Sequence, residues 1–302
     1  MAELGNPKTL LLAALGIIGV LYALMLAQGI ARRRREDPGA PTAPTGGGVA
    51  TGFVTNFFDA LGIGSYAPTT SIFRAWKMVP DKEIPGTLNV GHTLPTIAEA
   101  IIFTQLVNVD ATTLIVLIAA ASLGGWLGAG FVVKLPKRAI QIGMGSALVC
   151  AAFLMLLSLL GITPAPGQAL GLTGGTLVFA AALNFMLGAL MTLGIGLYGP
   201  CLIMISMLGM NPTTAFPIMM GSCAFLMPVA SARFVRENGF NVRATLGLLI
   251  GGVPAVLIAA YIVKSLPLTY VKWLVVVVVL YTAYGLLRSA MRERAEARMA
   301  TA

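Results

Sequence analysis

Charge is what this chain of 302 residues has least of: Lys, Arg, Asp and Glu together make up 10% of it. A soluble domain carries about 25%. Hydrophobic residues make up 57% and the mean hydropathy is +0.88. The deficit therefore excludes a water-soluble globule and points to a polytopic membrane protein. Histidine occurs once, at His92. The three cysteines, Cys150, Cys201 and Cys223, lie in apolar stretches and form no CxxC pair. That scarcity excludes a disulfide framework and leaves no metal site readable by ligand spacing. The cysteines read as packing thiols. Gly194 to Gly199 matches the letters GxGxxG, yet no βαβ context surrounds it and Pro200 follows at once, so it is not a dinucleotide fingerprint. No phosphate-binding loop and no catalytic cluster is present. The chain reads as a non-enzyme that needs no cofactor.

What charge there is lies mostly at the ends of apolar segments. The excess is basic, +9 overall, with clusters at Arg32 to Arg35 and Arg288 to Arg298. That distribution follows the positive-inside bias rather than a nucleic-acid face. Thr9 to Ile30 is an apolar run of 22 residues closed by four arginines. A signal peptide competes for this stretch, but the order is that of a stop-transfer segment, so it is read as a retained helix ending inside. Residues 36–48, EDPGAPTAPTGGG, read as a flexible tether.

The core is an internal repeat. A shift of 132 positions superimposes Leu61, Gly62, Ile63, Gly64, Tyr66 and Pro68 on Leu193, Gly194, Ile195, Gly196, Tyr198 and Pro200. It also pairs Met78, Pro80 and Pro85 with Met210, Pro212 and Pro217, nine identities in 25 positions. Gly124-Gly125 and Lys134 to Pro136 are echoed by Gly251-Gly252 and Lys264 to Pro267, with small insertions. The expected organisation is an N-terminal membrane helix in 1–35, the tether 36–48, repeat one in 49–165, repeat two in 166–290, and a basic cytoplasmic tail in 291–302. Each repeat holds one Gly/Pro-broken segment (about 49–77 and 174–208) followed by three apolar spans. The fold class is all-α.

Loop charge sets the orientation. If both broken segments cross the membrane, the basic loops Arg74 to Lys82 and Lys134 to Arg138 fall outside. If each re-enters and returns, those loops, Arg233 to Arg243 and the tail all fall inside, with Lys264 and Lys272 as exceptions. Re-entrance also gives each half an odd number of crossings, so the halves are inverted, as in many transporters. The length of 174–208 leaves a partly crossing, partly unwound helix as the alternative.

The two breaks carry the first chemical expectation. Glycine lets backbone leave helical geometry and approach a ligand, and proline suits the first turn of a restarted helix. A helix starting inside a membrane presents free N–H groups and a positive dipole end, and an anion satisfies both. The expected anion site is Gly62, Gly64, Ser65 and Tyr66 with Gly194, Gly196, Leu197, Tyr198 and Gly199, joined by Asn89 and Ser222. The plain alternative is a pair of kinked, closely packed helices. The second expectation is proton coupling. Asn89, His92, Thr96 and Glu99 share one helical face, and Asp59 precedes the first break. Ionisable groups in a membrane segment are costly and usually face a cavity, so Asp59, His92 and Glu99 are the candidates. Their structural alternatives are capping by Asp59, a backbone bond from His92 and an ion pair from Glu99. The 132 shift maps these three onto Met191, Ala224 and Ser231, which assigns any coupling to the first half. Asn56, Asn184, Thr192 and Cys223 are further polar lining.

The pattern of Phe53 to Pro68, the Pro85-Gly86-Thr87 start of the next span, and their repetition over Phe185 to Pro217 resembles the TauE/SafE sulfite exporter family, also called toluene sulfonate uptake permeases. The resemblance covers about 49–290, so the N-terminal helix looks like an addition to the core. The family usually has a longer glycine run after the break than Ser65-Tyr66-Ala67 supplies. The resemblance implies a secondary transporter of sulfite, organosulfonates or related sulfur anions in a bacterial plasma membrane, read as an exporter. An anion channel on the same fold, a carrier for another small organic anion, and a membrane-embedded enzyme or assembly subunit are the competing readings. The expected partners are a small anion, the bilayer and further copies of the chain in a homo-oligomer.

The topology has a direct check. In a chain whose cysteines are changed to serine, an impermeant maleimide should label Lys82→Cys only from the cytoplasmic side and Asn108→Cys only from outside. The opposite pattern would overturn the orientation.

Overall fold

The computed structural model describes residues 6–39, 41–132, 137–162, 167–191, 197–265 and 268–301. Apart from one bridge between Ala169 and Met210, the regular structure among these residues is helical. The helices are α1 (Pro7–Glu36), α2 (Gly46–Ala60), α3 (Tyr66–Ala75), α4 (Ile84–Leu106), α5 (Ala111–Val132), α6 (Lys137–Leu159), α7 (Gly174–Met191), α8 (Tyr198–Met207), α9 (Ala215–Arg236), α10 (Val242–Ser265) and α11 (Leu268–Thr301). Among the described residues α1, α7, α9 with its preceding turn, and α10 are each long and apolar enough to span a bilayer.

Three boundaries differ from the sequence reading. Helix α1 extends past its apolar run at both ends. Asn6 accepts from the Lys8 amide at 3.0 Å, and the basic last turn Arg33 to Arg35 complements the helix's negative end. Helix α2 begins inside the expected tether. The Thr45 hydroxyl accepts from the Gly48 amide at 3.0 Å, a side-chain cap that offsets part of the poor helix propensity of three glycines; packing of Gly48 on Gly247 adds the rest. Helix α11 continues to Thr301, so the basic tail is helical.

The chain forms two compact units, each interleaved in sequence. One holds Met1–Val107 and Met220–Ser265; the other holds Asn108–Met219 and Leu266–Ala302.

In the first unit α10 packs along α2, and α4 packs against α10 and α1. The α2–α10 seam is built from glycines spaced four apart, Gly48 and Gly52 on α2 and Gly247 and Gly251 on α10. A Cβ added at Gly52 would lie 2.6 Å from Leu248 Cα, and one at Gly247 would lie 2.7 Å from the Gly48 carbonyl carbon. Small residues let two backbones approach this closely, which is how helices associate where lipid removes the hydrophobic drive. The seam pairs early with early and late with late residues (Gly48 with Gly247, Asn56 with Gly252), so the two helices run parallel. Helix α3 then returns toward the start of α2, where Met78, just past the end of α3, lies beside Gly47. Apolar side chains close the unit: Tyr22, Leu26, Val90, Val235 and Phe240 form one cluster, and Phe73, Ile84, Leu88 and Leu248 another.

In the second unit α5 packs along α7, and α6 along α11. Gly124 abuts the Phe185 carbonyl and Gly188 the Ala121 carbonyl. The segment after α8 returns to the start of α7, where the Asn211 amide donates to the Ala169 carbonyl at 2.9 Å.

Helix starts in the second half follow those in the first by 131 or 132 residues, for α3 and α8, α4 and α9, α5 and α10, and α6 and α11. Contact positions keep the same offsets. Gly52 meets Leu248 in the first unit, while Asn184 donates to the Leu117 carbonyl at 2.7 Å in the second. Asn56 meets Gly252, and Gly188 meets Ala121.

A methyl at Gly52 has backbone on its far side and nowhere to go. Gly52→Ala should lower thermal stability in detergent by on the order of 1–3 kcal/mol. Gly16→Ala, where an added Cβ meets nothing within 4 Å, should be neutral or slightly stabilising. Equal melting temperatures for the two variants would refute the close seam.

Candidate functional site

The site grows from the end of α2. The Ile63 amide donates to the Phe58 carbonyl at 3.1 Å and the Gly62 amide to the Asp59 carbonyl at 2.7 Å. Gly62 has φ +92. This is the Schellman arrangement, and it requires a left-handed residue at that position. Gly64 follows with φ +87, so residues 61–65 turn the backbone between α2 and α3 through two positions that disfavour any side chain.

Helix α3 begins at Tyr66, two residues earlier than the proline implies, so Pro68 is its third residue. The position suits proline equally well, because first-turn N–H groups have no partner within the helix. The intrahelical ladder opens with the Thr69 amide donating to the Ser65 carbonyl at 3.0 Å. Ahead of it, the Ser65 amide and hydroxyl both donate to the Asp59 carboxylate, the hydroxyl at 3.0 Å. Asp59, 2% exposed, thus places a carboxylate at the positive end of α3.

Helix α4 supplies the facing wall. His92 is fully buried. Its Nδ1 lies 2.9 Å from Asn56 Oδ1 on α2 and its Nε2 lies 3.1 Å from Thr69 Oγ1 on α3. The Asn56 amide nitrogen donates to the Gly52 carbonyl at 2.7 Å, which leaves Oδ1 facing the ring as an acceptor. Nδ1 therefore carries a proton. The Thr69 hydroxyl has one hydrogen and two acceptors within reach, His92 Nε2 and the Ser65 carbonyl at 2.8 Å. A proton on Nε2 commits that hydrogen to Ser65, and its removal releases the hydrogen to the ring. The Tyr66 hydroxyl donates to Asn89 Oδ1 at 3.1 Å, and the Asn89 amide nitrogen donates to the Pro85 carbonyl at 3.0 Å. The rings of Tyr66 and His92 tilt against each other at 5.8 Å. On its other side α4 is tied by Thr93 to Ser231 at 3.0 Å, and the Tyr22 hydroxyl donates to the Val90 carbonyl at 2.9 Å.

Of the expected residues, Gly62, Gly64, Ser65, Tyr66, Asn89, Asp59 and His92 come together in this first unit. Glu99 is fully buried seven residues beyond His92 on α4, and Ser222 is fully buried on α9. In the second unit Leu197 precedes the first residue of α8 and is buried with Tyr198. A Cβ at Gly199 would lie 2.9 Å from Thr282 Cγ2. Thr192, Gly194 and Gly196 lie outside the described residues. As in the first unit, the Cys201 amide donates to the Leu197 carbonyl at 3.0 Å. Sequence reasoning missed Thr69, and it treated Asn56 as lining only. Nothing in a linear pattern reports that threonine and asparagine from two other helices will bracket one imidazole.

The constellation holds two strongly ionisable side chains, Asp59 and His92, bridged through Ser65 and Thr69. It presents hydrogen-bond donors at a helix start, and the Thr69 hydroxyl that meets His92 is held by the Ser65 carbonyl as well. Chemically, such an arrangement can hold an anion or a proton. The family described as Sulfite exporter TauE/SafE matches residues 3–155. No curated protein and no solved structure matches the chain. The family match includes α1, so α1 belongs with the family's own region. Its bonds from Tyr22 to α4 give the physical reason, since α4 would otherwise leave one side uncovered.

As the only histidine, His92 reads itself out. In full-length protein labelled with 15N-histidine, Nδ1 should appear protonated at neutral pH. A neutral ring protonated only at Nε2 would refute the hydrogen-bond order. Asn56→Leu should abolish the preference and cost about 1–3 kcal/mol of stability, the expense of an unsatisfied buried donor.

Proposed function

The chain belongs to the sulfite exporter TauE/SafE family, and from that premise we propose that it is a proton-coupled secondary carrier exporting a small sulfur oxyanion, sulfite or an organosulfonate, across a bacterial plasma membrane. The observation that carries the mechanism is the Asp59 carboxylate bonded to the amide and hydroxyl of Ser65. An ionised Asp59 already neutralises the start of α3 and repels a second anion. A proton on Asp59 removes that charge and frees Ser65 and the first-turn amides for the substrate. Substrate and proton occupancy are then linked at one place. A doubly charged oxyanion leaving with one proton carries one net negative charge outward. An inside-negative potential contributes about 2.3 kcal/mol per 100 mV to that step.

The architecture that suits this role is two inverted repeats, each opened by a re-entrant helix pair. Helix α2 has 15 residues and rises ~22 Å, short of the ~30 Å hydrocarbon core. Met78 returns beside Gly47, which supports a hairpin entering and leaving on one side. The conserved offsets of 131–132 between helix starts and between contact positions support the repeat. This reading assigns the same anion-holding role to the Leu193 to Pro200 break. It gives the coupling residues Asp59, His92 and Glu99 to the first half and puts the C-terminus in the cytoplasm.

Flux of sulfite, sulfoacetate and sulfate in proteoliposomes, with and without pH and potential gradients, tests the proposal. Saturable movement of a sulfur anion that responds to both gradients is expected, and no movement of any of them refutes it. Unsaturable flux indifferent to pH would establish the channel reading instead. Asp59→Asn should retain downhill exchange and lose at least tenfold of the gradient-driven rate. Glu99→Gln retaining full gradient-driven transport would remove Glu99 from the coupling set.

A further inference from the structure

At the basic end of the first unit, the last turn of α1, residues 41–42, and the start of α10 enclose an open cavity of about 240 Å³. Arg33, Arg34, Thr42, Met78, Asn241 and Arg243 line it. Among the described residues that line it are three arginines and no carboxylate. Arg32, Arg33 and Arg34 of α1 divide into two kinds. Arg32 donates to the carbonyls of Val235 and Arg236 at 3.0 Å each, and Arg33 to those of Phe240 and Asn238. They satisfy backbone at the turn from α9 to α10, a structural duty that accounts for them. Arg34 touches one neutral hydroxyl, Thr42 Oγ1, at 2.8 and 3.2 Å. Arg243 makes no hydrogen bond or ion pair among the described residues. It sits in the first turn of α10, whose leading amides and dipole add positive potential.

No carboxylate lies in the described lining: Asp37 caps the end of α1 outside it, and two other acidic side chains hold partners. Glu36 pairs with Arg32 at 3.7 Å and accepts from Asn238, and Glu83 accepts from the Asn241 amide nitrogen at 3.4 Å. Uncompensated arginines around a concave, hydroxyl-bearing space match a tetrahedral oxyanion with several acceptor oxygens. The place in the fold narrows the source. The cavity begins where the apolar run of α1 gives way to arginine, the depth at which a spanning helix meets the headgroups.

We infer that this cavity is a phosphate-recognition site that takes the phosphodiester of an anionic phospholipid. Arg34 and Arg243 grip the oxygens, Arg33 adds charge, and Thr42 positions Arg34. Bound lipid clamps α1 to α10, and with α10 the glycine seam that carries α2.

The test uses purified full-length protein in neutral detergent. Phosphatidylglycerol, phosphatidylcholine and inorganic phosphate are titrated separately. Thermal stability and lipid retention in native mass spectrometry are read for wild type, Arg34→Gln/Arg243→Gln, and Arg233→Gln. Arg233 is a control on the same end, paired with Glu237 at 2.9 Å. Phosphatidylglycerol should bind and stabilise wild type and Arg233→Gln. Its affinity should fall roughly fivefold per cavity arginine removed, about 1 kcal/mol each, and weaken with salt. Inorganic phosphate should protect only at far higher concentration; equal protection by the free ion would overturn the lipid assignment. Equal stabilisation by phosphatidylcholine, or undiminished affinity in the double variant, would overturn the site.

Discussion

Hydrocarbon offers no hydrogen bonds, so a helix that stops inside a bilayer must find partners for every amide and carbonyl it exposes. The stretch from Phe58 to Thr69 meets such a requirement largely from its own residues. The Schellman bonds use the amides of Gly62 and Ile63. Asp59 takes the Ser65 amide and hydroxyl, and Pro68 has no amide to satisfy. The donors that remain at the start of α3 are few, oriented alike and at the positive end of a dipole. A stretch that satisfies its own backbone in this way leaves a helix start whose free donors suit an anion.

The neighbouring helices hold that place by two different devices. Glycine seams bring α10 against α2 at backbone contact, which fixes α2 with few side chains and little rotamer freedom to lose. Polar side chains then register α4 against both α2 and α3 through His92, Asn56 and Thr69. Neutral hydrogen bonds between membrane helices average well under 2 kcal/mol each. Packing therefore supplies most of the rigidity, and the polar bonds specify the register. The second unit repeats the packing device at offset positions, with Asn184 standing where the first has Gly52.

At the basic end, arginine does work that glycine and threonine do deeper in. Arg32 satisfies carbonyls in the last turn of α9 and Arg33 those of Asn238 and Phe240 beyond it, while Arg34 lines an open cavity with Arg243. Pro41 and Thr42, in the segment that joins α1 to the seam, line that cavity too.

Composition and apolar run length alone determined that the chain is helical and membrane-spanning, because a bilayer admits few ways to bury a backbone. Helix starts fell within a few residues of those read from the sequence. Proline, glycine and capping residues act locally, so their signals survive in one dimension. The break at Leu61 to Pro68 and the candidacy of Asp59 and His92 were legible for the same reason: glycine pairs and buried charge are rare in such segments. Only the tertiary structure decided what those residues touch. That α2 lies along α10, some 200 residues away, that Thr69 and Asn56 bracket the imidazole, and that Asp59 turns back onto Ser65 depend on packing between distant segments. That packing is set by shape and small-residue contact, and neither leaves a periodic trace in the sequence.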